Sequence, residues 1–195
     1  MNNSKTSINT RAWSVKKIST MAMFTAISLI LMYVIRFPIF PPAAFLEYDP
    51  ADIPILICTL MFGTVPGLIV TLLVCLIQGF TVSAQSGVIG IVMHLIATGS
   101  MVLIVGLINR KNTVSIRNYI AVFLGSLAMI AVMIPLNLIL TPIFMGVPVE
   151  AVKALILPAI VPFNAIKAGL NSLIAVIVFT VLKFALKSAR IDIDK

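Results

Sequence analysis

Unbroken apolar runs of membrane-spanning length recur along this chain, and they leave few folds open to it. A helix needs roughly 20 such residues to cross a bilayer. In lipid every backbone N–H and C=O must be satisfied within the protein, which leaves only helices or a closed barrel. The runs are continuous and not alternating, so helices are selected. Composition agrees: 61% of the 195 residues are hydrophobic and 10% are charged, with a mean hydropathy of +1.16. A soluble domain carries roughly 25% charged residues. The pattern predicts one all-α integral membrane domain over 1–195, with six transmembrane helices at about 16–35, 51–62, 68–82, 88–109, 118–141 and 158–186. Tails of 1–15 and 187–195 flank them; the first lacks a contiguous apolar core, so no cleavable signal peptide is expected.

Charge placement orients the bundle. The formal charge of +8 is not that of a nucleic-acid binder, because no basic amphipathic segment or aromatic–basic interleaving accompanies it. With six helices both termini share one side, and 11 of the 14 Lys and Arg fall there, from Lys5 and Arg11 to Arg190 and Lys195. Only Arg36 and Lys153 fall opposite, with Glu47, Asp49, Asp52 and Glu150. The positive-inside rule therefore puts both termini in the cytoplasm and the 36–50 segment outside. That segment holds four prolines among apolar and aromatic residues. Proline excludes a continuing helix, and the composition is not that of a solvated loop. It is read as an extracellular lid or gating loop between helices 1 and 2.

Within the sixth run, Lys167 breaks the apolar pattern. A lysine near the middle of a membrane helix costs about 2.5 to 3.5 kcal/mol on insertion scales, so it needs a partner or an aqueous cavity. Asn164 and Asn171 lie at i−3 and i+4 and share its face. Asn137 falls at comparable depth on helix 5. An ammonium with two carboxamides suits a planar neutral heterocycle with alternating C=O and N–H edges. The competing reading is a structural lysine, and for the deeper Asn171 an interhelical hydrogen bond stands level with a ligand contact. In the outer loop, Phe45, Leu46, Tyr48 and their neighbours can cover an apolar ring while Glu47 and Asp49 accept from hydroxyls; the competing reading is a solvated loop with incidental acids.

Other features carry less. Ser19, Ala22 and Ala26 make a small-residue stripe on helix 1 that allows close approach of another helix, in this chain or in a partner. Pattern alone slightly favours this chain. Gly63 and Gly67 flank Pro66 and are read as a turn. His94, the only histidine, is read as making one interhelical hydrogen bond, since a single histidine builds no metal site. Cys58 and Cys75 are read as packing residues. Gln78 and Gln85 are weak candidates for a rim. No phosphate-loop, zinc-protease or nucleophile-elbow motif is present, and no intramembrane carboxylate pair, so no enzyme activity is expected.

Three motifs together resemble a known family. Ala22-x-x-x-Ala26 is similar to the helix 1 motif of the substrate-binding S components of energy-coupling-factor (ECF) vitamin transporters. Leu46-Glu47-Tyr48-Asp49-Pro50-Ala51-Asp52-Ile53-Pro54 and Pro162-Phe163-Asn164-Ala165-Ile166-Lys167 look like the first loop and helix 6 of the riboflavin-specific type. The resemblance implies riboflavin as the transported ligand and no cofactor or metal. Asn137, Asn164 and Lys167 would then meet the polar edge of the isoalloxazine ring. Phe45, Leu46, Glu47, Tyr48 and Asp49 would belong to the closing loop, with Glu47 near the ribityl hydroxyls or organising that loop. It also implies docking through Ala22 and Ala26 on a transmembrane T component driven by a pair of cytoplasmic ABC-type ATPases in the cell membrane. The alternatives are an S component for another vitamin and a structural or assembly membrane protein.

Overall fold

The structure is a computed structural model that describes residues 13–109 and 114–189. The charges expected at Lys5, Arg11, Arg110, Lys111, Arg190 and Lys195 lie outside the described residues. The molecule is almost entirely helical: α1 Val15–Val34, α2 Asp52–Phe62, α3 Thr64–Phe80, α4 Gly87–Ile108, α5 Ile116–Met145, α6 Val149–Leu155 and α7 Val161–Ser188. Four helical stretches have the length and hydropathy to cross a membrane: Val15–Val34, Ala84–Ile108, Ile116–Met145 and Val149–Ser188. The apolar helices Asp52–Phe62 and Thr64–Phe80 are shorter.

Local chemistry sets the boundaries. Ser14 caps α1 by accepting from the Lys17 amide, and Ser115 caps α5 from Arg117. Gly63, at φ 90°, makes the whole turn between α2 and α3, so α3 begins at Thr64 and not near 68 as expected. Pro66 then sits in its first turn, where the missing N–H costs nothing. Helix α5 outruns its expected end near 141. It carries Pro135 and Pro142 internally and stops at Gly146, whose φ of 65° is the left-handed cap conformation.

The largest departure from expectation lies between 149 and 160. Instead of a loop leading to a helix at 158, α6 passes through one wide π-type turn over Ile156–Ile160 into α7. That turn contains Pro158, and Pro162 follows at once. A proline inside a helix removes one backbone hydrogen bond and crowds the carbonyl of the preceding turn, and a π-type turn relieves that clash while keeping the helical path.

Helix α2 is the hub. Every one of its residues from Asp52 to Phe62 is buried, and it packs against α1, α3, α4 and α7. A helix apolar on all sides belongs in a core, not on a lipid face. Close approach around it uses glycine: a Cβ on Gly67 would lie 2.2 Å from Thr59 Oγ1, and one on Gly106 would lie 2.7 Å from Thr64 Cα. Helix α1 buries Met21, Phe24, Thr25, Ser28 and Met32. Ser19, Ala22 and Ala26 face outward from the bundle, so the stripe does not serve an internal helix contact, contrary to the slight preference of the pattern.

The 36–50 loop is ordered by pairing. Phe37–Pro38 (β1) and Glu47–Tyr48 (β2) form a short antiparallel pair in the register Phe37↔Tyr48 and Pro38↔Glu47. Between them Pro41–Ala43 makes one tight turn. Ala43, Leu46 and Tyr48 share an apolar cluster with Val152, Ala159, Ile160 and Phe163. The loop is thus seated on α6 and the start of α7.

Candidate functional site

Lys167 meets a carboxylate from the far end of the sequence. Its Nζ donates to Asp49 Oδ2 at 2.7 Å, and both residues are 8% exposed. Asp49 is itself held, because its Oδ1 accepts from the Ala51 amide at 3.1 Å in a local turn that starts α2. An ion pair this buried survives only with good geometry and further hydrogen bonds, and the neighbours supply them. Asn171 Nδ2 donates to the Asp49 carbonyl at 3.1 Å and to Asp52 Oδ2 at 3.3 Å, while its Oδ1 accepts from Tyr48 Oη at 2.9 Å. Burial, and next the Asp49 carboxylate, hold the Tyr48 phenol above its ordinary pKa, which keeps it a donor.

Asp52 continues the network into the bundle. It is fully buried, and its Oδ1 accepts from Thr98 Oγ1 at 2.8 Å and pairs with His94 Nε2 at 3.3 Å. His94 Nδ1 lies 2.8 Å from Gln78 Nε2, and Ser83 Oγ donates to Gln78 Oε1 at 3.5 Å. His94 therefore joins α4 to both α2 and α3, where a single hydrogen bond was expected. Asp49, Asp52, Lys167 and His94 tie together the loop and three helices.

Beside this network lies a cavity of about 170 Å³. Lys167, Asn164, Asn137 and Thr141 supply its inner polar wall, and Phe45, Phe144, Phe163, Met93, Met129 and Met133 its apolar walls. Arg36, Glu47, Ser83 and Ser86, at helix ends and turns, form the rim. Asn137 is pinned by donating to the Met133 carbonyl at 2.8 Å and accepting from Thr141 at 2.9 Å. Asn164 Nδ2 donates to the Ile160 carbonyl at 2.8 Å, a residue in the π-type turn. Its Oδ1 is buried and has no hydrogen-bond partner among the described residues. Buried acceptors in folded proteins are normally satisfied, so this oxygen is available to a donor in the cavity. The Lys167 ammonium carries three N–H groups and keeps donors beyond the one given to Asp49.

Seven of the eight residues expected at a ligand site line this cavity: Phe45, Leu46, Glu47, Asp49, Asn137, Asn164 and Lys167. Tyr48 does not; its ring stacks near Phe37, with centroids 5.5 Å apart, and its hydroxyl braces Asn171. Asn171 and the exposed Gln85 are also absent from the wall, whereas Gln78 belongs to it. Hydropathy and spacing missed Arg36, which had counted only as a topological charge. Its Nε donates to Glu47 Oε2 at 2.6 Å, its Nη2 pairs with the same oxygen, and its Nη1 donates to the Val82 carbonyl at 2.5 Å. The one usable signal was a lone arginine on the acid-rich side. A larger groove of about 550 Å³ between α5 and α7 has no charged residue in its wall and opens on the outer helix faces.

Comparison with known proteins gives the same direction. The family described as "ECF transporter, substrate-specific component" matches residues 16–179. A riboflavin transporter of Bacillus subtilis (strain 168), FmnP, is 27% identical over 177 residues, covering 87% of this chain and 93% of the relative. A riboflavin transporter of Staphylococcus aureus (strain TCH60), RibU, is 29% identical, covering 88% and 93%. A solved bacterial ECF transporter S component superposes with a TM-score of 0.76 at 27% identity, over 88% of this chain and 98% of that one. A match over most of the chain, joined to a membrane-helical fold with a polar-walled cavity, settles the family: this chain belongs to the substrate-specific components of ECF transporters.

Proposed function

We propose that this chain binds riboflavin from outside the cell and carries it across the cell membrane as the S component of an ATP-driven ECF transporter. The observation that carries the ligand is that an open acceptor and a cation share one wall: Asn164, whose Oδ1 has no partner among the described residues, and Lys167. The dione edge of an isoalloxazine presents C=O, N–H and C=O in sequence, which matches an ammonium and a carboxamide oxygen side by side. The phenylalanine and methionine walls suit the tricyclic ring. The names of the relatives support the same substrate. Asn137, fixed by Met133 and Thr141, would complete the polar wall.

The cavity is smaller than the roughly 300 Å³ at which ligand pockets usually begin, so the 36–50 loop would swing outward to admit the flavin. Its Asp49–Lys167 and Arg36–Glu47 contacts would act as the latches. The charge asymmetry supports six spans within a single domain, cytoplasmic termini and an outer gating loop. The short helices α2 and α3 would count among the spans, since α2 is shielded from lipid on every side.

Titration of the purified chain with riboflavin should quench flavin fluorescence and raise the melting temperature. Ligand at 100 times Kd adds about 2.7 kcal/mol to stability. No quenching and no thermal shift would refute the substrate, and a shift with another vitamin in its place would redirect the assignment.

The chain holds a binding site and no nucleotide-hydrolysis motif, so energy has to come from partners, here a T component and a pair of cytoplasmic ATPases. The outward-facing Ala22 and Ala26 offer the small-residue surface for that docking. Ala26→Trp is expected to leave riboflavin affinity within about twofold, because it is far from the cavity wall, while co-purification with the T component and uptake are lost. Retained uptake would remove α1 from the interface.

A further inference from the structure

The groove of about 550 Å³ between α5 and α7 shares no wall residue with the polar cavity. Phe123, Leu127 and Ile130 line it from α5, and Leu173, Ile177 and Val181 from α7; among the described residues no charge stands in this wall. A Cβ placed on Gly169 would meet nothing within 4 Å, so the space beside it is open. The hydroxyls inside are engaged within the protein. Ser126 Oγ donates to the Val122 carbonyl at 2.9 Å and lies 2.7 Å from Ser172 Oγ, and Thr180 Oγ1 donates to the Val176 carbonyl at 2.8 Å. The groove therefore asks for hydrocarbon and not for a polar ligand.

Its length and its ends say what kind of hydrocarbon. The wall runs from Tyr119 to Ile130 on α5, about 16 Å, and from Ala165 to Val181 on α7, about 24 Å, at 1.5 Å per residue. That is at least one leaflet of a hydrocarbon core about 30 Å thick. Ser126 meets Ser172, while Asn137 and Asn164 meet at the polar cavity, so the two helices run antiparallel. One end of the groove thus holds Tyr119, half-exposed, and the turns of α7 that follow Thr180. Lys183 and Lys187 come three and seven residues after Thr180 and continue its face. This is the cytoplasmic end in the topology proposed above, and lysines there reach headgroup level. We propose that the α5–α7 groove binds one acyl chain of an anionic phospholipid, with the headgroup phosphate against Lys187 and Lys183. A partner helix would need an acid at one fixed depth to answer these lysines. An anionic lipid carries its phosphate at that level already, and basic sites between helices on the cytoplasmic side suit such headgroups.

The test uses the full chain in nanodiscs of equal parts phosphatidylcholine and phosphatidylglycerol. Either lipid is doped in with a photoactivatable diazirine on one acyl chain, and labelled residues are mapped by mass spectrometry. Labelling should concentrate on Leu173 and Ile177 over the exposed Leu72, Leu73 and Leu76 of α3. The phosphatidylglycerol form should label the groove about fivefold more than the phosphatidylcholine form. Gly169→Leu fills the open space and should cut groove labelling severalfold, with riboflavin affinity unchanged because Gly169 is absent from the polar cavity. Lys183→Gln with Lys187→Gln should erase the headgroup preference while labelling persists. Groove labelling no stronger than that on α3 means bulk lipid only and overturns the proposal. Equal labelling by the two lipids overturns it as well. So does a groove protected from both lipids in a chain that runs as a dimer, which would give the site to a second copy. The wild-type arms need no variant and no flavin, so they stand whatever becomes of the substrate reading.

Discussion

Lys167→Met is expected to weaken riboflavin binding by about 100-fold or more, as befits loss of a charged hydrogen-bond donor together with its buried partner's balance. The same change leaves the Asp49 carboxylate buried with only the Ala51 amide, at a cost of about 3 to 5 kcal/mol. The two effects separate in a double variant. Lys167→Met with Asp49→Asn removes both charges, so stability should largely return while affinity stays low. Thermal unfolding and flavin titration on the single and double variants read them independently. Full affinity in Lys167→Met would make the lysine a structural counter-ion and nothing more.

Asp52→Ala is expected to destabilise the chain about as much as Lys167→Met. Asp52 is fully buried and takes hydrogen bonds from Thr98, His94 and Asn171 on α4 and α7. Truncation leaves those donors unpaired at the start of the central helix. A loss of about 3 to 5 kcal/mol follows from removing one side of a buried charged network, or roughly 10 °C in melting temperature for a chain of this size. Asp52→Asn keeps an acceptor and the shape, and should recover part of it. A melting temperature unchanged in Asp52→Ala would mean that α2 is held by its apolar faces alone.

Much of this is legible in the chain itself. Lys167 and Asn164 declared themselves because a charge or an amide in an apolar run is costly wherever the helix goes. The prolines of 36–50 excluded a helix, and the loop they announced is a short hairpin seated on α6 and α7. Less was legible where two local rules compete. Pro142 and Pro148 were read as a connection and Pro158 as the start of the last helix, yet a π-type turn carries the helix through Pro158. The alanine stripe was ambiguous because spacing states that a face is smooth and not what covers it.

Hydropathy, proline placement and charge asymmetry are one-dimensional quantities, and by themselves they determined a helical membrane protein with a polar anomaly in its last helix and an apolar, proline-broken segment after its first. Which acid answers Lys167 was a three-dimensional question. Asp49 lies 118 positions away, and nothing in either residue's neighbourhood distinguishes it from Glu47, Asp52 or Glu150. Packing of α7 beside α2 and its preceding loop gave Lys167 to Asp49, packing of α4 against α2 gave Asp52 to His94, and the loop hairpin gave Glu47 to Arg36. The physical reason is that burial makes a partner obligatory but leaves its identity to geometry. The lysine's cost in lipid was readable from the chain, and the pairing that offsets it was decided by the fold.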